Sequence, residues 1–221
     1  MTTFVLIPGA GGAAWYWSRV APLLEDEGHA AIAVDLPGDD EHAALPEYVR
    51  LARAAIADRT DVVLVAQSLG GFTAPMVCER AAIESLVLVH AMLPVPGETP
   101  GAWWDHTGAP AARAAAAEAG GYGDFDLATY FLHDVPPDVA AEGAAHERPE
   151  ADAVFASRCE FRSWPDVPIR VLAGSDDRFF PPAFQREVAQ ARLGRDADLL
   201  PGGHLIALAQ PALVAKYLLQ I

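Results

Sequence analysis

Five short, nearly unbroken apolar runs set the limits on how this chain can fold. They are Phe4-Val5-Leu6-Ile7, Ala30-Ala31-Ile32-Ala33-Val34, Val62-Val63-Leu64-Val65, Leu86-Val87-Leu88-Val89 and Ile169-Arg170-Val171-Leu172-Ala173. Runs this short, rich in β-branched residues and lacking polar alternation, read as strands buried on both faces, the pattern of a parallel sheet. The segments between them, 15–27, 46–58 and 69–82, have helical length and spacing. Strands alternating with helices predict an α/β fold with right-handed crossovers. A weaker strand at 196–200 and a closing helix at 207–219 complete a mainly parallel sheet of about six strands flanked by helices.

One region breaks the alternation. Residues 91–165 are rich in Pro, Gly, Ala and aromatics, including Trp103-Trp104, Phe125, Tyr130-Phe131 and Trp164, and contain no apolar strand run. They read as an inserted cap lying over the sheet, with 1–90 and 166–221 forming the core. At 221 residues and 52% apolar content the chain suits a single buried core. The balance of 15 basic against 30 acidic residues gives a charge of −15, which disfavours nucleic acid and anionic membranes as partners. Cys78 and Cys159 are too few for a disulfide scaffold, and their spacing matches no metal-ligand pattern. Neither a secretory leader nor an apolar run of about 18 residues is legible, so the expectation is a cytoplasmic monomer or homodimer acting on a small molecule.

The chemistry concentrates at strand ends. The run Val62–Val65 continues into Ala66-Gln67-Ser68-Leu69-Gly70-Gly71 and then a helical segment. Small-x-Ser-x-Gly between a strand and a helix resembles the nucleophile elbow of α/β-hydrolases, a tight turn that exposes the Ser hydroxyl and needs small neighbours. A Ser capping an ordinary helix in a Rossmann-like domain is the plain alternative. Later the chain offers Gly174-Ser175-Asp176-Asp177 after one strand and Pro201-Gly202-Gly203-His204 after the last. Ser, then Asp, then His is the α/β-hydrolase order, and side chains at the carboxyl ends of strands converge on the ligand crevice of an open sheet. His204 would act as general base for Ser68, and Asp177 would fix the imidazole tautomer. Asp176 is the alternative acid, with a turn-capping role as its plain reading.

Acyl transfer also needs donors for the oxyanion. The loop Pro8-Gly9-Ala10-Gly11-Gly12 after the first strand resembles the His-Gly-x loop of the same superfamily, which implies the backbone N–H groups of Ala10 and Leu69 as the pair. A Gly-x-Gly after a strand is shared with nucleotide binders, but neither a P-loop nor Gly-x-Gly-x-x-Gly is completed here. His90, Trp103, Trp104 and Phe180 are candidate residues of the substrate pocket. His90 follows a strand, and the aromatics supply apolar surface near the expected mouth.

The stretch Phe4–Asp35, with Trp15, Trp17, Pro22-Leu23-Leu24 and Gly28-His29, together with Val34-Asp35-Leu36-Pro37-Gly38 and His90-Ala91-Met92-Leu93-Pro94, resembles the small methylesterase and hydroxynitrile-lyase branch of the α/β-hydrolases, which includes bacterial esterase-like members. The lyase members carry Lys after the catalytic His and tend to place Cys after the elbow Ser. Here those positions are Leu205 and Leu69. The resemblance therefore implies a serine esterase for a small apolar or aromatic ester, acting through an acyl-Ser68 intermediate and needing no metal or organic cofactor. The alternatives are a non-hydrolytic lyase or cyclase on the same fold, and a binding protein that retains the pocket.

Overall fold

The computed structural model describes residues 1–221. Its six strands are β1 (Thr3–Ile7), β2 (Ala30–Ala33), β3 (Val62–Gln67), β4 (Ser85–Val89), β5 (Ile169–Gly174) and β6 (Ala197–Leu200). They form one sheet in the order β2-β1-β3-β4-β5-β6. Every pairing is parallel.

Period-2 packing explains why the strands are continuously apolar. Val5 and Ile7 of β1 join Leu64 and Ala66 of β3 in one core cluster. Phe4 and Leu6 join Val63, Val65, Val87, Val89 and Leu172 in the cluster on the opposite face. With helices covering both faces, no strand position of β1, β3 or β4 remains exposed. Edge strands β2 and β6 are only partly buried, which accounts for the weaker signal at 196–200.

Two helices anticipated as continuous are each broken shortly before a proline. The segment 15–27 forms a 3₁₀ turn over Ala14–Trp17, then a helix over Ala21–Asp26 whose first turn holds Pro22. The segment 207–219 divides into Ile206–Ala209 and Pro211–Leu218. In each case proline sits in the first turn, where its missing N–H costs nothing, and Pro211 also keeps Gln210 before it out of helical geometry, at φ −131° and ψ 51°. Segments 46–58 and 69–82 appear as Leu45–Ile56 and Gly70–Cys78.

Between β4 and β5 the chain leaves the sheet as a helical cap. It contains helices Pro100–Thr107, Ala109–Gly120, Leu127–Tyr130, Pro137–Gly143 and Asp152–Ala156, and no strand. No helix is long and apolar enough to cross a membrane.

The strand order reverses direction at β1: the chain moves from β1 outward to β2, then returns to place β3 on the other side of β1. Loops leaving β1 and β3 diverge at that switch point and open a crevice above the carboxyl ends of both strands. Pro8–Gly12 follows β1 and Ser68 follows β3, so the topology alone brings those two segments together.

Candidate active site

Ser68 occupies a left-handed backbone conformation, with φ +50°. A non-glycine residue pays strain to sit there, and such positions collect at functional turns. The turn is held from both sides: Ser68 N–H donates to Val89 O at 3.1 Å, and Met92 N–H donates to Ser68 O at 2.9 Å. Its small neighbours are sterically required. A Cβ on Gly71 would run into the Met92 carbonyl, and one on Gly9 would collide with Gln67 Oε1 and with Ser68 Cβ. The helix can thus leave β3 at once, with the hydroxyl at its start.

His204 lies on the loop between β6 and the helix Ile206–Ala209. Ser68 Oγ is 3.1 Å from His204 Nε2, and His204 Nδ1 is 2.8 Å from Asp177 Oδ2. The carboxylate requires the Nδ1–H tautomer, which leaves Nε2 bare to accept from the Ser68 hydroxyl. All three side chains are buried. Phe131, Phe179 and Phe180 stand edge-on around the imidazole, their centroids 5.1, 5.0 and 5.2 Å from it.

Asp177 is saturated with donors. Its Oδ1 accepts from Phe179 N–H at 2.8 Å and Phe180 N–H at 2.9 Å, while Oδ2 accepts from Gln185 Nε2 at 3.0 Å as well as from His204. Burial works to raise its pKa, but attraction to His204 and His90, with hydrogen bonds from His204 and the Phe180 N–H, holds it below the ordinary carboxylate value. Asp176 faces elsewhere: its carboxylate accepts from the Ser175 hydroxyl at 2.8 Å and Gly202 N–H at 3.1 Å, a turn-bracing role.

The backbone N–H groups of Ala10 and Leu69 enter no hydrogen bond within the protein. Both flank Ser68, on the loop after β1 and at the head of the elbow helix. The loop carrying Ala10 is clamped from the cap side. Glu150 accepts Gly11 N–H through Oε2 at 2.6 Å and the Tyr48 hydroxyl through Oε1 at 2.6 Å. Next to it, Arg148 pairs with Asp35 at 2.8 Å. A second cap residue, Asp134, accepts Gly203 N–H at 2.6 Å and so braces the loop that presents His204. Neither Glu150 nor Asp134 was singled out from the sequence. Each reaches its partner across more than sixty positions, and no local spacing encodes such a contact.

The cap closes an apolar cavity of about 370 Å³ beside the serine. Gly9, Ala10, Gln67 and Leu205, immediate chain neighbours of the reactive groups, form one wall, and Phe131, Val135, Val139 and Ala140 of the cap form another. The pocket expectations need correcting, because His90, Trp103, Trp104 and Phe180 do not line this cavity. Trp103 is 1% exposed, donates Nε1–H to Leu93 O at 3.2 Å and packs against Phe180 and Phe184. Trp104 lies against Phe179 and Phe180, and Phe180 is wedged between these tryptophans and His204. Together they pack behind His204 rather than forming the surface of the pocket.

His90 is fully buried behind the acid. Its φ of +47° repeats at the end of β4 the turn that Ser68 makes at the end of β3. Nδ1 lies 3.0 Å from His204 O and 3.5 Å from Asp177 Oδ2, so it carries the proton and donates to the carbonyl. Burial, opposed by Asp177, pushes its pKa down to about 4. Donor atoms of His90, Asp177 and His204 lie within 4.8 Å of one another, a spacing that a metal ion could bridge. The hydrogen bonds just described account for the same arrangement without one.

A parallel sheet with a helical cap between β4 and β5, and a serine, an aspartate and a histidine on the loops that follow β3, β5 and β6, defines the α/β-hydrolase class. Residues 4–217 match the Alpha/beta hydrolase family, and the chain belongs to it. Over 87 residues the chain is 39% identical to norfluorocurarine synthase 1 of a Strychnos species, covering 35% of this chain and 33% of that protein. Over 107 residues it is 36% identical to the probable esterase PIR7A of Oryza sativa, covering 43% of this chain and 41% of that one. The matched segments thus span between a third and two fifths of these curated relatives. Among solved structures, polyneuridine aldehyde esterase superposes with a TM-score of 0.80 at 22% identity, covering 100% of this chain and 98% of that one. An extracellular α/β-hydrolase from a Paenibacillus species gives 0.80 at 19%, with the same coverage. At these identities the superpositions establish the shared fold. The resemblance read from Phe4–Asp35 to the methylesterase branch agrees with the sequence matches.

Proposed function

We propose that the protein is a serine esterase that cleaves a small, neutral, apolar or aromatic carboxylic ester. The observation that carries this reading is the continuous hydrogen-bonded chain Ser68 Oγ, His204 Nε2, His204 Nδ1, Asp177 Oδ2, with links of 3.1 and 2.8 Å. His204 takes the Ser68 proton as Oγ attacks the ester carbonyl, and Asp177 stabilises the imidazolium. Ala10 and Leu69 N–H donate to the oxyanion. Collapse of the tetrahedral species breaks the C–O bond, and His204 returns its proton to the departing alcohol. Water, deprotonated by the same imidazole, then releases the carboxylic acid and restores Ser68.

A second reading keeps the constellation and changes the outcome: a lyase- or cyclase-type step in which no water enters. Two observations favour it. One is the sequence similarity to a protein named norfluorocurarine synthase. The other is the pair of imidazoles, His90 and His204, around one carboxylate, an arrangement able to hold a proton on the protein. One experiment separates the readings. A p-nitrophenyl ester panel is run on the protein and on Ser68→Ala, alongside fluorophosphonate labelling. Ester turnover lost in Ser68→Ala, with labelling at Ser68, supports the esterase. Labelling at Ser68 with no turnover of any ester supports the second reading. Turnover that survives in Ser68→Ala overturns the esterase reading.

A further inference from the structure

The end of β4 holds both the serine and the histidine of the site. Val89 O accepts the Ser68 N–H at 3.1 Å, and the next residue, His90, donates Nδ1–H to the His204 carbonyl at 3.0 Å. That strand lies inside the sheet between β3 and β5, and His90 N–H is itself tied to Leu172 O of β5 at 2.8 Å. The loop that carries His204 has no such footing. It leaves β6 through Pro201-Gly202-Gly203, with Gly202 at φ +141°. The His204 carbonyl accepts no backbone N–H, and its other donor, Gln67 Nε2, stands off at 3.5 Å.

Apart from that one bond, His90 is unfavourable where it stands. It is fully buried, its Nε2 has no partner, and its φ of +47° is one that glycine and asparagine adopt more readily. A buried unpaired nitrogen and a strained backbone both weaken the fold, so the contact at Nδ1 has to offset them. We propose that His90 is a positioning residue: its Nδ1–H holds the His204 carbonyl to the sheet and thereby sets the distance from His204 Nε2 to Ser68 Oγ. Val89 and His90 are consecutive, so nucleophile and base are registered against the same strand end. In this role, which rests on the esterase reading, His90 acts on proton transfer and not on substrate binding, because it does not line the cavity.

The test compares His90→Asn, whose amide nitrogen can stand where Nδ1 stands, with His90→Gln, whose amide nitrogen falls where Nε2 stands. His90→Gln is expected to lower kcat on p-nitrophenyl acetate about 10- to 100-fold and to leave KM within about twofold, the loss that a displacement of about 1 Å produces. His90→Asn is expected to keep kcat within about threefold. A packing role predicts the reverse order, because glutamine fills the space of the ring better than asparagine does. The low-field proton of the His204 Nδ1–Asp177 hydrogen bond, read by NMR, needs no turnover. It is expected to hold its position in His90→Asn and to move upfield in His90→Gln. His90→Gly, which relieves the positive φ and supplies no donor, is expected to behave as His90→Gln and takes its place if that variant does not fold. The proposal is overturned if His90→Gln matches or exceeds His90→Asn in kcat, if the loss appears in KM, or if the proton signal stays in place in both His90→Gln and His90→Gly. A protein that cleaves no ester, yet shows the proton shift in His90→Gln and not in His90→Asn, would keep the brace and remove only the esterase reading.

Discussion

Replacing Asp177 with asparagine changes one atom, and the surrounding geometry decides which way the new amide must face. Two backbone donors, Phe179 and Phe180 N–H at 2.8 and 2.9 Å, point at Oδ1 and cannot turn away. The asparagine carbonyl is therefore held there, and the NH₂ takes the place of Oδ2, facing His204 Nδ1 and Gln185 Nε2. An NH₂ facing Nδ1 forces that nitrogen to accept, so the ring proton moves to Nε2. Nε2 then cannot take the Ser68 proton across its 3.1 Å contact. Turnover is left to the disfavoured tautomer. The expected loss in kcat/KM is about 10³–10⁴, or about 4–5.5 kcal/mol of transition-state stabilisation. Stability should fall as well, because the amide gives up the attraction to His204 and His90 that outweighs burial at Asp177 and its NH₂ faces the Gln185 Nε2 donor. The assay is p-nitrophenyl acetate hydrolysis, with circular dichroism to establish that the variant is folded. A folded Asp177→Asn protein within tenfold of the parent would refute the reasoning from tautomer control.

His90 ties stability to pH. Its folded pKa lies at about 4 against an ordinary 6.5, so below 6.5 the unfolded chain binds a proton that the folded chain refuses. Stability is complete above pH 6.5 and falls as the pH drops towards 4, by about 3 kcal/mol in all. Urea titrations across that window should show the slope in the parent and a flattened curve in His90→Asn, a residue that tolerates the positive φ. Parallel curves would contradict the assignment. At Glu150, alanine strands Gly11 N–H and the buried Tyr48 hydroxyl, and should cost about 1.5–3 kcal/mol while lowering kcat through the loosened Ala10 loop. Burial raises the Glu150 pKa. Glu150→Gln, which keeps an acceptor and removes the buried charge, should retain most of both properties; equal thermal midpoints and rates for the two variants would show that the clamp does nothing.

The sheet was legible because a strand buried on both faces leaves no room for polar alternation, and β1, β3, β4 and β5 each show that run. Ser68, Asp177 and His204 were legible for a related reason. Each stands just past the carboxyl end of a strand, where glycine and other small residues mark a tight turn. The internal structure of the cap was not legible. Ala109–Gly120 and its neighbours are short and rich in alanine, so which face lines a pocket is decided by tertiary packing alone. Trp103, Trp104 and Phe180 were placed at the pocket by their aromatic character, yet an indole packs as readily behind a catalytic loop as in front of a substrate. The contacts of Glu150 and Asp134 depend on the cap folding back over the sheet. The breaks at Pro22 and Pro211 were visible in the chain, but the apolar spacing on either side read as continuous helix.

The central claim is that Ser68 becomes acylated during ester cleavage. Mixing the protein with p-nitrophenyl acetate, quenching in acid within the first turnover and mapping peptides by mass spectrometry tests it directly. The account predicts an acetyl increment on the peptide containing Ser68, formed with a burst of nitrophenolate and absent in Ser68→Ala and in Asp177→Asn at the same time point. Nitrophenolate release with no increment on Ser68, or with the acetyl group on another residue, would contradict it.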